Sequence, residues 1–262
     1  MTVTAIRALT PSAQNGETSV DKALGLLSLF GIADRSVGVS ELARRAGLPK
    51  STAFRLLNIL EANRLVERQG RQYALGRHLF ELGQRVPFCQ PGSLRDVSAP
   101  FLDDLRRASN ETVHLAVLDG LDAIYINKIH GRAESRCPSA IGRRVPANCS
   151  AVGKALLAYS DPASINELLR GGLRRRTPYS IILPRLMGEE LQRIRQRHVA
   201  FDNEEAKVGI NCVAAPVLGS SGRAIASVSI AGPVGRFNPK RFARAVDQAA
   251  RSIAAAAVPA RP

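Results

Sequence analysis

The forty residues VGVSELARRAGLPKSTAFRLLNILEANRLVERQGRQYALG, from Val37 to Gly76, constrain this chain more than any other stretch. Gly47, Leu48 and Pro49 split the first part into two helical runs joined by a tight turn. Ser40 reads as an N-cap, Glu41 suits the positive end of a helix, and Gly47 suits the position just past its end. This predicts a short helix over Glu41–Ala46. Pro49 then opens a second helix, because the first helical position does not need its N–H. That helix runs to about Asn63 and buries Ala53, Leu56, Leu57 and Leu60 at helical spacing. Its opposite side presents Lys50, Ser51, Thr52, Arg55 and Asn58, with Phe54 beside them.

Polar groups gathered toward the N-terminal half of the second helix are what a recognition helix needs. Its first residues meet base edges and phosphates in the major groove. Arg55 has the fork to pair with a guanine, and Phe54 can touch a thymine methyl. Ser51 and Thr52 can bond phosphates, helped by the helix N-terminus. A hairpin signal follows, in which Val66, Arg68, Arg71 and Tyr73 flank a Gln69-Gly70 turn. Arg68 and Arg71 beside its tip suit the minor groove or the backbone. Before the pair, SVDKALGLLSLFGIA carries Val20, Ala23, Leu24, Leu27 and Phe30 on one helical stripe, with Thr18 or Ser19 as cap. A lone helix-turn-helix pattern also fits a helical hairpin within an unrelated core. Three helices followed by a basic-tipped hairpin form the more specific signature of a winged helix-turn-helix, so double-stranded DNA is the expected partner.

Charge agrees without locating the site. The net charge is +15, which favours polyanions at long range. The surplus of Lys and Arg over Asp and Glu is five in residues 1–90 and ten in the remainder. Much of the second surplus lies in Arg174–Arg176 and in Arg193, Arg195 and Arg197. A run of this kind is usually a solvated loop.

Boundaries follow from composition. Residues 1–17 are small and polar and read as a disordered tail. The winged helix spans 18–76. Leu75, Leu79, Leu82 and Val86 form an apolar stripe for a linker helix, and VPFCQPGS closes the linker at 77–92. Residues 93–262 form a second domain. There, ETVHLAVLDGLDAIYINKIHG reads as two strands turning at Asp119–Gly120, and CVAAPVLGSSGRAIASVSIAG as a hairpin. Helices are expected before, between and after, in LRDVSAPFLDDLRRASN, VPANCSAVGKALLAYS, LMGEELQRIRQRH and FNPKRFARAVDQAARSIAAAA. The fold class is therefore α+β, around one antiparallel sheet.

The sequence holds no G-x-S-x-G elbow, phosphate loop or H-E-x-x-H, so no enzyme class is signalled and no cofactor is expected. Cys89, Cys137, Cys149 and Cys212 make no C-x-x-C pair, and no apolar run is long enough for a membrane span. A cytoplasmic protein with reduced thiols is expected.

GLPKSTAFRLLNIL, PANCSAVGKALLA, FDNEEAKVGINCVAAPV and SVSIAGPVGRF, in this order, make the chain resemble IclR-type bacterial transcription regulators along nearly its whole length. The resemblance implies a linker helix joining the winged helix to a profilin- or GAF-like effector domain. It also implies a homodimer or a dimer of dimers on a palindromic operator. The small-molecule effector it implies is a carboxylate, an organic or aromatic acid. By the same resemblance, the backbone amides of Ala151 and Val152 receive the carboxylate, while Asp202, Cys212 and Ser229 supply side chains. Asn148 stands where His is frequent, and Ala231 where a second Ser is frequent. These departures predict an effector larger or less polar than a two- or three-carbon oxoacid. Read by residue chemistry alone, Cys149 and Cys212 equally fit small buried hydrophobes. Ser229 equally fits a bond to a neighbour, and Asp202 a cap or an Arg partner.

Overall fold

The computed structural model describes residues 18–31, 34–132 and 137–257, with Ser164 defined in its backbone only. The tail expected over residues 1–17 lies outside the described residues. The chain divides between Gln90 and Pro91 into two compact units.

The first unit contains α1 (Ser19–Ser28), β1 (Val37–Gly38), α2 (Val39–Ala46), α3 (Lys50–Ala62), β2 (Val66–Gln69), β3 (Gln72–Leu75) and α4 (Arg77–Gly83). Thr18 caps α1 in a reciprocal box with Asp21: Thr18 N–H donates to Oδ2 at 2.9 Å and Asp21 N–H donates to Oγ1 at 3.2 Å. Leu26 and Phe30 are buried with Leu42, Leu56, Leu57 and Leu60 in one core. Val20 and Leu24, expected inside, are 66% and 50% exposed. The apolar arc of α1 is wider than the surface that α2 and α3 offer it. Ser40 does not cap α2; Gly38 does, with φ −74° and ψ 151°. The helix starts early because Val37 and Gly38 pair with Tyr73 and Gln72 as a third strand. Strand pairing therefore fixes where the chain turns into α2. Gly47 ends α2 at φ 65°, as its sequence position requires.

The wing sheet has the order β1-β3-β2. Gln69 pairs with Gln72, so the tip is Gly70-Arg71, one residue beyond the expected Gln69-Gly70. Gly70 alone of these two has positive φ, at 62°. A turn of this hand places its glycine first, and register follows the glycine.

The second unit contains α5 (Leu94–Ser109), β4 (Thr112–Asp119), β5 (Asp122–Ile129), β6 (Arg144–Pro146), α6 (Ala151–Ala158), α7 (Pro162–Gly171), α8 (Pro184–Arg197), β7 (Ala200–Asn203), β8 (Ile210–Leu218), β9 (Ala224–Pro233) and α9 (Pro239–Ala257). One six-stranded sheet runs β6-β5-β4-β9-β8-β7, with every neighbour antiparallel. The β4–β5 turn is again shifted by one: Asp119 pairs with Asp122, leaving Gly120-Leu121 at the tip. α5 and α9 pack on one face and α6 on the other. Cys212, Ala214 and Ala231 belong to the core shared with Ala151, Val152 and Ala155 of α6. Val213 and Ile230, alternating with them, face α5 and α9.

The small-residue run expected as one helix is broken at its start. Ala147–Cys149 form a 3-10 turn, and Ser150 is extended at φ −140° and ψ 150°. Its hydroxyl accepts a bond from Gly153 N–H at 3.1 Å. That cap sets the first turn of α6 and aims its amides. Gly153 permits the close approach, since a Cβ there would lie 2.3 Å from Ala147 Cα and carbonyl oxygen. Gly153→Ala is expected to destabilise the second unit by about 1–3 kcal/mol or more. Its thermal transition, followed by calorimetry, drops accordingly, whereas an unchanged transition would show that the turn yields freely.

Candidate DNA interface and ligand site

α3 carries two faces because apolar side chains recur at helical spacing. Ala53, Leu56, Leu57 and Leu60 are buried; Lys50, Ser51, Phe54, Arg55 and Asn58 are exposed, and Thr52 is half-buried. Ion pairing sharpens the polar face. Arg44 and Arg45 are neutralised by Glu41 and Asp34, and Arg77 by Glu67. The two guanidiniums hold Glu41 down to about 2. Lys50, Arg55 and Arg71 have no ion-pair partner among the described residues. The uncompensated charge therefore includes the first half of α3 and the wing tip, where the sequence expects phosphate and base contacts.

Arg68 sits differently from Arg71. Its guanidinium carbon lies 6.0 Å from the Phe54 ring centroid and 5.8 Å from that of Tyr73. Its Nε donates to Gly70 carbonyl oxygen at 3.3 Å. Arg68 thus braces wing against helix as well as presenting charge. Arg71 stands exposed at the tip.

In the second unit, strand register gathers the side chains that the sequence singles out. Asp202 pairs with Cys212, Cys212 with Ala231, and Ser229 with both Ala214 and His114. Directly paired residues share a face, so Asp202, Cys212 and Ser229 all lie on the side covered by α6. Ala151 and Val152 are its first two residues, and first-turn amides have no acceptor within their own helix. All five expected positions therefore converge on one side of the sheet.

Their roles there are not equivalent. Asp202 Oδ1 accepts Glu205 N–H at 2.6 Å and Ala206 N–H at 3.3 Å, capping the turn after β7. Burial and the neighbouring Glu205 charge push its carboxyl up to about 7, against the pull of Lys154. Glu205 is also raised by burial. Its Oε1 accepts from Lys154 Nζ at 2.5 Å, a pair that is 1% and 7% exposed in its side chains. Glu205 Oε2 and Asn148 Oδ1 are buried without a hydrogen-bond partner among the described residues. Asn148 Nδ2 is spent on the carbonyls of Arg174 and Ile181, at 2.8 and 3.2 Å. Cys149 Sγ donates to Arg174 carbonyl oxygen at 3.0 Å.

Several contributors escape the sequence. His114 sits on β4 with its Nε2 2.6 Å from Ser139 Oγ and its Nδ1 3.4 Å from Ser229 Oγ. Burial, with Lys128 nearby, lowers it to about 3, so the ring is neutral. Tyr125 lies against it, ring centroids 4.8 Å apart. Lys128 Nζ donates to Cys137 and Ser139 carbonyl oxygens at 3.0 and 2.6 Å, fastening that segment to β5. One signal was available: Lys154 is the sole charge in AVGKALLA, and a charge in a fully apolar helix demands a buried partner. No cluster of three His, Cys, Asp or Glu suited to a metal ion occurs among the described residues. An open groove of about 520 Å³ on α7, lined by Ala163, Asn166, Glu167, Arg170 and Gly171, includes none of these groups.

Comparison with known proteins bears on both units. Residues 19–70 match the IclR helix-turn-helix domain, and residues 90–255 match the bacterial transcriptional regulator IclR C-terminal domain. The chain is 34% identical over 243 residues to the transcriptional repressor IclR of Escherichia coli, covering 90% of this chain and 88% of that one. A crystal structure of the Thermotoga maritima IclR superposes with TM-score 0.74 at 31% identity, covering 90% of this chain and 97% of that one. An IclR homolog of Microbacterium hydrocarbonoxydans, solved in complex with 4-hydroxybenzoate, superposes with TM-score 0.81 at 22% identity, covering 92% and 99%.

The Asp202–Glu205 pair makes a pH prediction. A carboxyl raised in the folded state keeps its proton after the unfolded chain has lost it. The stability this contributes is full below about 3.8 and is lost as pH rises through about 7. The melting temperature is expected to fall between pH 5 and pH 8, at roughly 2–4 °C per kcal/mol. Asp202→Asn, which retains the accepting oxygen, flattens that slope in calorimetric scans. An equal slope in the variant would assign the titration elsewhere.

Proposed function

The chain belongs to the IclR family of bacterial transcription regulators, DNA-binding proteins with an effector-binding C-terminal domain, and from that premise we propose how it reads DNA and what it senses. α3 lies in the major groove of an operator, and the wing reaches the adjacent backbone or minor groove. The observation that carries this reading is the exposed edge Lys50, Ser51, Phe54, Arg55 and Asn58, set opposite the buried Ala53, Leu56, Leu57 and Leu60. Arg55 supplies the base-reading fork, Thr52 and Ser51 hold phosphate at the helix start, and Arg71 and Arg68 follow the backbone.

The second unit binds a small organic acid, and the cytoplasm is where it meets it. The α6 amides of Ala151 and Val152 receive the carboxylate, as a helix start favours an anion. Asp202, Cys212 and Ser229 line the remainder. At Ala231 the row offers no hydroxyl, and Tyr125 with neutral His114 offers an aromatic, uncharged wall. These features favour a body larger than a two- or three-carbon oxoacid. The regulator works as a homodimer or a dimer of dimers. Exposed Val20, Leu24, Phe80 and Leu82, at 66%, 50%, 70% and 40%, support paired copies, since large apolar side chains in water favour an interface. Effector binding changes affinity for two half-sites through coupling between the domains.

Two experiments test these assignments. Footprinting the DNA beside the flanking genes yields the operator. Arg55→Ala then weakens its binding by about 1–3 kcal/mol and relaxes preference at one base pair. A variant with wild-type affinity and footprint removes Arg55 from the interface. In calorimetric titration, glyoxylate and pyruvate are expected to show no micromolar binding. Micromolar affinity for either would overturn the larger effector.

A further inference from the structure

Resting on the acid-effector reading of the same site, the charges around α6 point to one more residue. Three cations border the start of α6. Lys154 is committed to Glu205 Oε1 at 2.5 Å. Arg174 is committed to Asp122 Oδ1 at 2.5 Å and to Leu121 carbonyl oxygen at 2.9 Å. Arg176 has no carboxylate partner among the described residues; its Nε donates to Ala206 carbonyl oxygen at 3.2 Å.

The chain around Arg176 is built rather than loose. Its backbone N–H donates to Ser180 Oγ at 3.0 Å, and Ser180 Oγ in turn donates to Glu205 carbonyl oxygen at 2.9 Å. Thr177 Oγ1 donates to Glu204 carbonyl oxygen at 2.8 Å. Two residues earlier, Arg174 carbonyl oxygen receives Asn148 and Cys149, just ahead of α6. Residues 174–177 therefore run from the start of α6 to the turn that Asp202 caps, with the Arg176 side chain fixed to that turn. Its positive charge reaches both the Tyr125 hydroxyl and the Cys149 thiol, opposing the rise that burial gives each.

An anion arriving here meets the Asp202 and Glu205 carboxyls, and Lys154 is already spent. The helix start alone offers about half a charge. We propose that Arg176 is a specificity-determining cation of the effector site, closing on the carboxylate received by the α6 amides. The site consequently takes acids in preference to their uncharged amides.

The test compares acid with amide on the full chain. Acetate and acetamide report the carboxylate subsite alone, by saturation-transfer NMR. 4-Hydroxybenzoate and 4-hydroxybenzamide add a ring, by calorimetry. Arg176→Gln is expected to weaken both acids about tenfold and to leave the amides unchanged, with ligand-free operator affinity as in wild type. Arg176→Lys, which keeps the charge without the fork, falls between. Equal acid affinity in wild type and Arg176→Gln overturns the proposal. So does an equal loss for acid and amide, the mark of a strut to Ala206. Either result leaves the acid-effector reading standing. Failure of both acids to bind the wild type overturns that reading itself, and Arg176's role with it.

Discussion

The α6 side of the second unit depends on a lysine with almost no access to water. Lys154 lies in α6, where all eight residues are buried. A lone ammonium in that position would cost several kcal/mol, so the fold must bring it a counter-charge. Glu205 supplies it from the turn between β7 and β8, and the pair ties α6 to the sheet across fifty-one positions of sequence. Asp202 then caps the same turn through two backbone amides. With two carboxyls gathered around one ammonium, burial raises both, and a proton is held where a surface carboxyl would have lost it. The ion pair thus holds α6 to the turn, while burial raises the carboxyls gathered there.

The first unit solves a different problem with the same elements. Its core buries apolar side chains of α1, α2 and α3 together with Val37, Val66 and Tyr73 of the wing sheet. Its charges are only partly compensated. Glu41 and Asp34 absorb Arg44 and Arg45, while Lys50, Arg55 and Arg71 keep their charge. Pairing thus leaves free charge on the helix edge and wing tip among other places, a distribution that a net charge of +15 does not specify by itself.

Legibility in the sequence followed the range of the interaction responsible. The α3 core positions were readable because periodicity is a local property. Gly47 was readable because only a left-handed residue ends that helix. Gly70 and Gly120 marked turns correctly, yet each tip lies one residue further on, since pairing across the strands sets the register. Ser40 looked like a cap until β1 formed against β3, a contact between segments more than thirty residues apart. Val20 and Leu24 read as core because apolar character says what prefers burial, and nothing about whether a neighbour is there to provide it.

By itself the sequence determined a winged helix-turn-helix followed by an α+β domain and the buried and exposed faces of α3; the five positions beside α6 came from the family resemblance, not from residue pattern. Tertiary structure decided what those positions can do. It made Asp202 cap the turn after β7 with a carboxyl pushed by burial up to about 7, set His114 against both Ser229 and Tyr125, and left Arg176 without the carboxylate given to Lys154 and Arg174. Hydrophobic periodicity is written in residues three or four apart. The state of a charge depends on every group folded around it, and those groups come from β5, α6, β7 and the loops between.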